Sequence, residues 1–169
     1  MQWIGISGSW RATSKQIEND VRRAVKKIIL NGDGIVAGGA LNVDSFALDE
    51  ALEHDPKAKQ IKIYLPTTLE LYATHYRKRA KEGVITNKQA EQLITQLSHL
   101  KKIDPQALKE SNKNITVNQK TYYQRHKQIV KASNKLIAFQ VNKSAGTQDT
   151  IEKAKRKGLP VTVFSYKID

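Results

Sequence analysis

The chain has 169 residues, no cysteine and a formal net charge of +13 at pH 7. With 39% hydrophobic and 27% charged residues it has the composition of an ordinary soluble globular protein, long enough for one substantial core. Disulfides, thiolate metal sites and a cysteine nucleophile are excluded, and the missing cysteines favour a reducing compartment. The N-terminal MQWIGISGSW has no basic leader region and no long apolar stretch, so no secretory signal is expected. No apolar run approaches the roughly 20 residues that span a bilayer. A cytoplasmic location with no membrane partner is the expectation.

Trp3 to Ser7 (WIGIS) is a short apolar run stopped by Gly8, the pattern of a buried parallel strand. From Thr13 to Leu30, Ile17, Val21, Ala24, Val25, Ile28 and Ile29 recur at three and four, which predicts an amphipathic helix. Thr13 or Ser14 can cap it, and Asn31-Gly32 ends it. Gly34 to Ala37 predicts a second strand, closed by Gly38-Gly39. A helix over 42–53 follows, then a third strand over Gln60 to Leu65, stopped by Pro66. This β-α-β-α-β order is that of a parallel sheet with right-handed crossovers.

Residues 67–132 read as a polar, mostly helical insertion. Helices are predicted over 69–81, 88–100 and 119–132. A short helical piece is expected to open at Pro105, and a loop to run over 112–118. Such an insertion suits a lid, a dimerisation arm or a flexible excursion. Strands over Leu136 to Val141 and Pro160 to Ser165 flank a last helix, Thr147 to Lys157, ended by Gly158. The expected architecture is a single Rossmann-like three-layer α/β/α domain, 1–169, with a mostly parallel sheet of about five strands and the helical insertion within it.

Charge is unevenly placed. Residues 1–55 carry 6 Lys/Arg and 8 Asp/Glu, whereas residues 76–131 carry 13 Lys/Arg and 4 Asp/Glu. The basic half suits a polyanion, or is simply a lysine-rich solvated face.

Three loops each follow a predicted strand and precede a predicted helix, so they share one end of the sheet, where ligands of such folds bind. Helix N-termini there expose free N–H groups and a partial positive charge, which suits phosphate. The first loop presents Gly8, Ser9, Trp10, Arg11, Thr13 and Ser14. Its arginine offers a fork for phosphate or carboxylate. The second presents Gly38, Gly39, Ala40 and, in the first helical turn, Asp44, which either favours the helix dipole or accepts hydrogen bonds from a ribose. The third presents Gly146 and Thr147 at a helix start. Each loop also has a plain reading as a capped turn. No P-loop and no GxGxxG fingerprint occurs.

These segments resemble the superfamily that joins the DNA-processing protein DprA (Smf) with the LOG, or lysine decarboxylase-like, nucleotide enzymes. The pieces are IGISGS (4–9), GIVAGGALNVDSFALDEAL (34–52), IKIYLP (61–66) and SNKLIAFQVNKSAGTQDTIEKAKRKGLPVTVF (133–164). The second is similar to the DprA-type segment IVSGGAxGVDxxAHxxAL. The resemblance implies a Rossmann-like fold whose loops bind nucleotides, nucleotide-derived signals or single-stranded DNA. It places Arg125 at the arginine of an RNxxIxxxSD segment, with Asn134 in place of the aspartate. Two departures stand out. Trp10 follows Gly8-Ser9 where DprA has arginine, with Arg11 one place later. Thr150 occupies the glutamate position of the LOG motif PGGxGTxxE, so that catalytic motif is not intact and enzymatic activity is left open.

The histidines His54, His75, His99 and His126 show no metal-ligand spacing, so no metal site is expected and they read as surface or packing residues. Glu70 is either a catalytic carboxylate or an early-helix acid. Trp10, Tyr122 and Tyr123 either stack on a base or pack the insertion onto the sheet. The leading expectation is a nucleotide- or nucleotide-derived-ligand-binding protein that holds phosphate in the glycine loops. The alternatives are a single-stranded nucleic-acid-binding protein like the DprA core, and a LOG-like nucleoside monophosphate N-glycosidase. No cofactor is implied beyond a nucleotide or phosphate ligand, and a homodimer is expected.

Overall fold

The computed structural model describes residues 1–169. Its elements run β1 (Trp3–Gly8), α1 (Lys15–Leu30), β2 (Gly34–Gly38), α2 (Val43–His54), β3 (Ile61–Tyr64), α3 (Leu69–Lys81), α4 (Asn87–Ile103), β4 (Leu108–Lys109), α5 (Gln119–Ala132), β5 (Lys135–Val141), α6 (Ala145–Lys157) and β6 (Val161–Tyr166). All six strands form one parallel sheet in the order β4-β3-β2-β1-β5-β6. No helix is long and apolar enough to cross a membrane.

The helix starts follow capping chemistry. Ser14 accepts from the Ile17 N–H and Thr68 from the Leu71 N–H, while Thr86 and Asn118 each form a capping box. The periodic faces bury as expected, with Ile17, Val21, Val25, Ile28 and Ile29 turned inward from α1. From β1 the chain steps one way through β2 and β3 to β4, then returns across β1 to reach β5 and β6. Right-handed crossovers in opposite directions place the connecting helices on opposite faces of the sheet. α1 packs on α2 in one layer, and α5 packs on α6 in the other.

One expectation fails. Pro105 does not open a helix: residues 105–107 form a turn, and Leu108–Lys109 pair with β3 as a sixth strand. Proline at a helix start and proline in a turn look alike locally. Here the Ala107 N–H bonds the Asp104 carbonyl, and the Ala107 carbonyl accepts from Ile63, which commits the segment to the sheet edge. The segment 67–132 therefore contributes to the sheet itself. Its Tyr72, Tyr76, Leu93, Leu97, Leu100 and Leu108 share one apolar core with Ile4, Ile35 and Ile63 of the strands.

Candidate functional site

Strand order reverses at β1, so β2 and β5 lie on its two sides with connections that leave in opposite directions. The loops after β1 and β5 diverge at that point and open the crevice in which such folds take ligands. The loop after β2 lies beside them. The sheet thus brings together the three segments that hold Gly8 to Arg11, Gly38 to Asp44, and Gly146 with Thr147.

The first two loops are tied together. Asn42 stands at the start of α2 with a positive φ (65°), makes no side-chain bond to the helix backbone and donates from its side-chain nitrogen to the Trp10 carbonyl. A non-glycine residue there is uncommon and is held by its surroundings. The Asp44 carboxylate accepts from the Ala40 N–H at 3.2 Å and so closes the second loop upon itself. Asp44 is buried, and burial pushes its pKa up to about 7 against the lowering effects of Arg125 and the Ala40 N–H. The third loop is less enclosed. Gly146 and Thr147 fall in the first turn of α6, whose cap residue Ser144 makes no side-chain bond to the helix backbone. Its hydroxyl and that of Thr147 lie 3.1 Å apart.

Three of the loop glycines are packed against by the protein itself, and a Cβ on Gly39 would stand 2.5 Å from Leu65 Cδ2. A Cβ on Gly8 would stand 2.5 to 2.7 Å from the Val43 side chain. A Cβ on Gly38 would stand 2.7 Å from Arg125 Cζ and 2.9 Å from its Nε and Nη1. Gly38 lies under an arginine guanidinium, and Gly39 under Leu65 and Leu97.

That arginine is the centre of the site. Arg125 belongs to α5 and is 6% exposed. Its Nε and Nη1 are buried without a hydrogen-bond partner. Its guanidinium lies 5.0 Å from the centre of the Tyr122 ring. Tyr72 donates to the Gly39 carbonyl at 2.8 Å and lies 3.2 Å from the Tyr76 hydroxyl, so α3 and α5 together clamp the second loop. Burial raises the pKa values of Tyr72, Tyr76 and Tyr122, which keeps these rings neutral. A buried cation with unpaired donors is costly unless an anion completes it.

Sequence reasoning passed over His126. It is buried next to Arg125, with Nδ1 3.0 Å from Asp149 Oδ2 and Nε2 3.5 Å from Arg125 Nη2. Lys153 donates to both Asp149 oxygens at 2.6 Å. Burial and the neighbouring Arg125 hold the His126 pKa down to about 4. No spacing could have paired residue 126 with 149, because tertiary packing alone joins α5 to α6.

Trp10 and Arg11 lie outside this buried centre. The Arg11 guanidinium stacks 4.8 Å from the Trp10 ring centre, and both line an open cleft of about 410 Å³ with Leu41, Val84, Ile85 and Gln89. Ser9 is buried and donates its backbone N–H to the Phe139 carbonyl. Glu70 is exposed in the first turn of α3, and Thr150 is fully buried, donating to the Gly146 carbonyl. Away from the sheet edge, Glu50, Glu53 and His54 of α2 bring three ligand-type atoms within 4.8 Å of one another.

The sequence matches the DNA recombination-mediator protein A family over residues 1–169. The chain belongs to the DNA recombination-mediator protein A family. In fold, this family member is similar to DNA processing protein A of Helicobacter pylori, a protein with a single-stranded DNA binding mode. That match has 19% identity and a TM-score of 0.69, and covers 96% of this chain and 64% of that one. DNA processing protein A of Streptococcus pneumoniae matches at 19% identity and a TM-score of 0.64, covering 96% of this chain and 50% of the other. The molybdenum cofactor carrier protein of Chlamydomonas reinhardtii matches at 15% identity and a TM-score of 0.57, covering all of this chain and 91% of that one. A comparison with curated proteins finds no match. This family member therefore spans 64% and 50% of the two DNA processing proteins. The resemblance read from IGISGS and GIVAGGALNVD pointed to the family to which the chain belongs.

Proposed function

We propose that this chain binds single-stranded DNA, holding a backbone phosphate at the C-terminal edge of the sheet between Arg125, the Gly38–Asp44 loop and the N-terminus of α6. The observation that carries the reading is the buried Arg125, with two guanidinium donors unpaired on top of Gly38. Both nitrogens are closed to solvent, so a phosphodiester oxygen supplies the missing acceptor once side chains around the second loop shift on binding. Membership of the DNA recombination-mediator protein A family supports the polymer as ligand, as does the single-stranded DNA binding of the Helicobacter pylori protein. The excess of Lys and Arg over residues 76–131 supplies the long-range attraction that a polyphosphate needs.

The test is fluorescence anisotropy with a labelled oligonucleotide over a range of salt concentrations. Binding is expected to weaken linearly in log–log form as salt rises, and R125M is expected to lose it. Absence of binding at low salt would sink the proposal.

A second reading keeps the same loops and replaces the strand by a free nucleotide or nucleotide-derived ligand. The cleft of about 410 Å³ beside Trp10 and Arg11 favours it, being large enough for a base or a small ligand. Thermal shifts with mono-, di- and cyclic nucleotides decide between the two. A shift with a mononucleotide, without retention of the oligonucleotide, would favour this second reading. The fully buried Thr150 offers no carboxylate to the third loop, which leaves the N-glycosidase alternative without the glutamate its motif requires.

A further inference from the structure

Arginine only donates hydrogen bonds, so any ring nitrogen that faces Arg125 Nη2 must accept. In His126 that nitrogen is Nε2, at 3.5 Å. The proton of the neutral imidazole then sits on Nδ1, and Nδ1 faces a pure acceptor, Asp149 Oδ2, at 3.0 Å. Asp149 is in turn fixed by Lys153, which donates to both of its oxygens. Every donor in this chain meets an acceptor, and only one tautomer satisfies it. The hydrogen-bond relay crosses from α6 to α5 and ends on Arg125 Nη2, while Nε and Nη1 lie buried over Gly38.

We infer that His126, oriented by Asp149, is a positioning residue that holds Arg125 by Nη2 and so fixes its guanidinium over the second glycine loop for a bound DNA strand. The inference rests on the reading of the site given above. Its logic is that of an imidazole whose second nitrogen is fixed by a carboxylate, so that ring orientation and proton position are set before the ligand arrives. The charged and titratable groups that face His126 are Arg125 on its own helix, Asp149 and Lys153 from α6, and the tilted Tyr123 ring with its centroid 5.4 Å away. Burial and Arg125 disfavour the imidazolium, which keeps the accepting nitrogen free at neutral pH.

The first experiment needs no variant: nitrogen NMR of the His126 ring in the whole chain at neutral pH. The expected result is a protonated, pyrrole-type Nδ1 and a bare, pyridine-type Nε2. A proton on Nε2 overturns the inference. The second measures oligonucleotide affinity in D149L, R125M and the double variant. D149L frees the ring to adopt the other tautomer and is expected to weaken binding about tenfold, the effect of one misaligned hydrogen bond to a charged group. D149N, which keeps an acceptor oxygen, is expected to recover most of that loss. In the R125M background D149L is expected to add nothing, because the two act through one contact. Additive losses overturn the inference, as does a D149L protein that binds like wild type while R125M does not. Wild-type affinity in R125M sinks the functional reading, and this inference with it.

Discussion

Two halves of the molecule meet at the site and contribute different things. The stretch through β1, α1, β2 and α2 carries an excess of acidic residues and supplies backbone: Gly8, Gly38, Gly39 and the Asn42 corner. The stretch through α3, α4 and α5 is strongly basic and supplies side chains: Arg125, Tyr72, Tyr76 and Tyr122. In the buried centre the first half supplies only the acid Asp44, and its Arg11 lies outside that centre. The second half brings a cation that its own helix cannot satisfy. Gly38 is then complementary to arginine. A segment that reads as an insertion is therefore half of the site.

The largest expected effect comes from removing what the second half contributes. R125M should lower oligonucleotide affinity by about a hundredfold, the scale of one charge-assisted hydrogen bond. Its thermal stability should stay unchanged or rise, because an apolar side chain of similar volume relieves a buried, incompletely paired charge. Loss of affinity together with a large fall in melting temperature would make Arg125 a structural residue instead.

Next comes the first half. Gly8→Val places side-chain atoms against Val43, and overpacking of this kind costs about 1–3 kcal/mol. Denaturant melts should show that loss with or without DNA. Gly38→Ala should act differently. Its Cβ meets the guanidinium of Arg125, so affinity should fall more than stability does.

The two buried titratable groups sharpen the comparison through pH. Asp44 titrates at about 7 in the folded chain against 3.8 for a free side chain. Between those values the folded state holds the extra proton, so this group makes stability fall as pH rises. His126 titrates at about 4 against 6.5, the unfolded state holds the extra proton, and stability rises with pH. From about pH 4 to 6.5 the two slopes oppose each other. Asp44 should offset part of the rise that His126 and His75 give the wild type there, and D44N should rise more steeply than wild type, by up to about 3 kcal/mol across the window, read from urea midpoints at a series of pH values. A D44N slope equal to that of the wild type would contradict the opposed pair. An anion beside Arg125 also disfavours ionised Asp44, so DNA affinity should decline as pH rises through about 7, and D44N should flatten that decline.

The smallest effect concerns the exposed charge of the second half. Lys120 and Lys127 are exposed on α5. Neutralising each to glutamine should weaken binding alike for all sequences and reduce the salt slope by about 1 if it meets a phosphate. An unchanged slope would assign those lysines to solubility alone.

The sequence by itself determined the order of elements, the parallel sheet, the helix faces and the placement of three loops at strand ends. Each of these rests on local signals: apolar runs of strand length, periodicity of three and four, and a capping residue or glycine at a boundary. It also showed the family, through IGISGS and GIVAGGALNVD. Tertiary structure alone decided what the loops face. Whether a glycine is bare for a ligand or for a neighbouring side chain depends on what packs there, and Val43 and Arg125 lie 35 and 87 residues beyond Gly8 and Gly38. The strand at Leu108 escaped notice because two residues carry no period, and only pairing with β3 makes them a strand. The contact between His126 and Asp149 was illegible for the same reason: it joins two helices through the fold, and a histidine on a helix announces its partner only once the helices are packed.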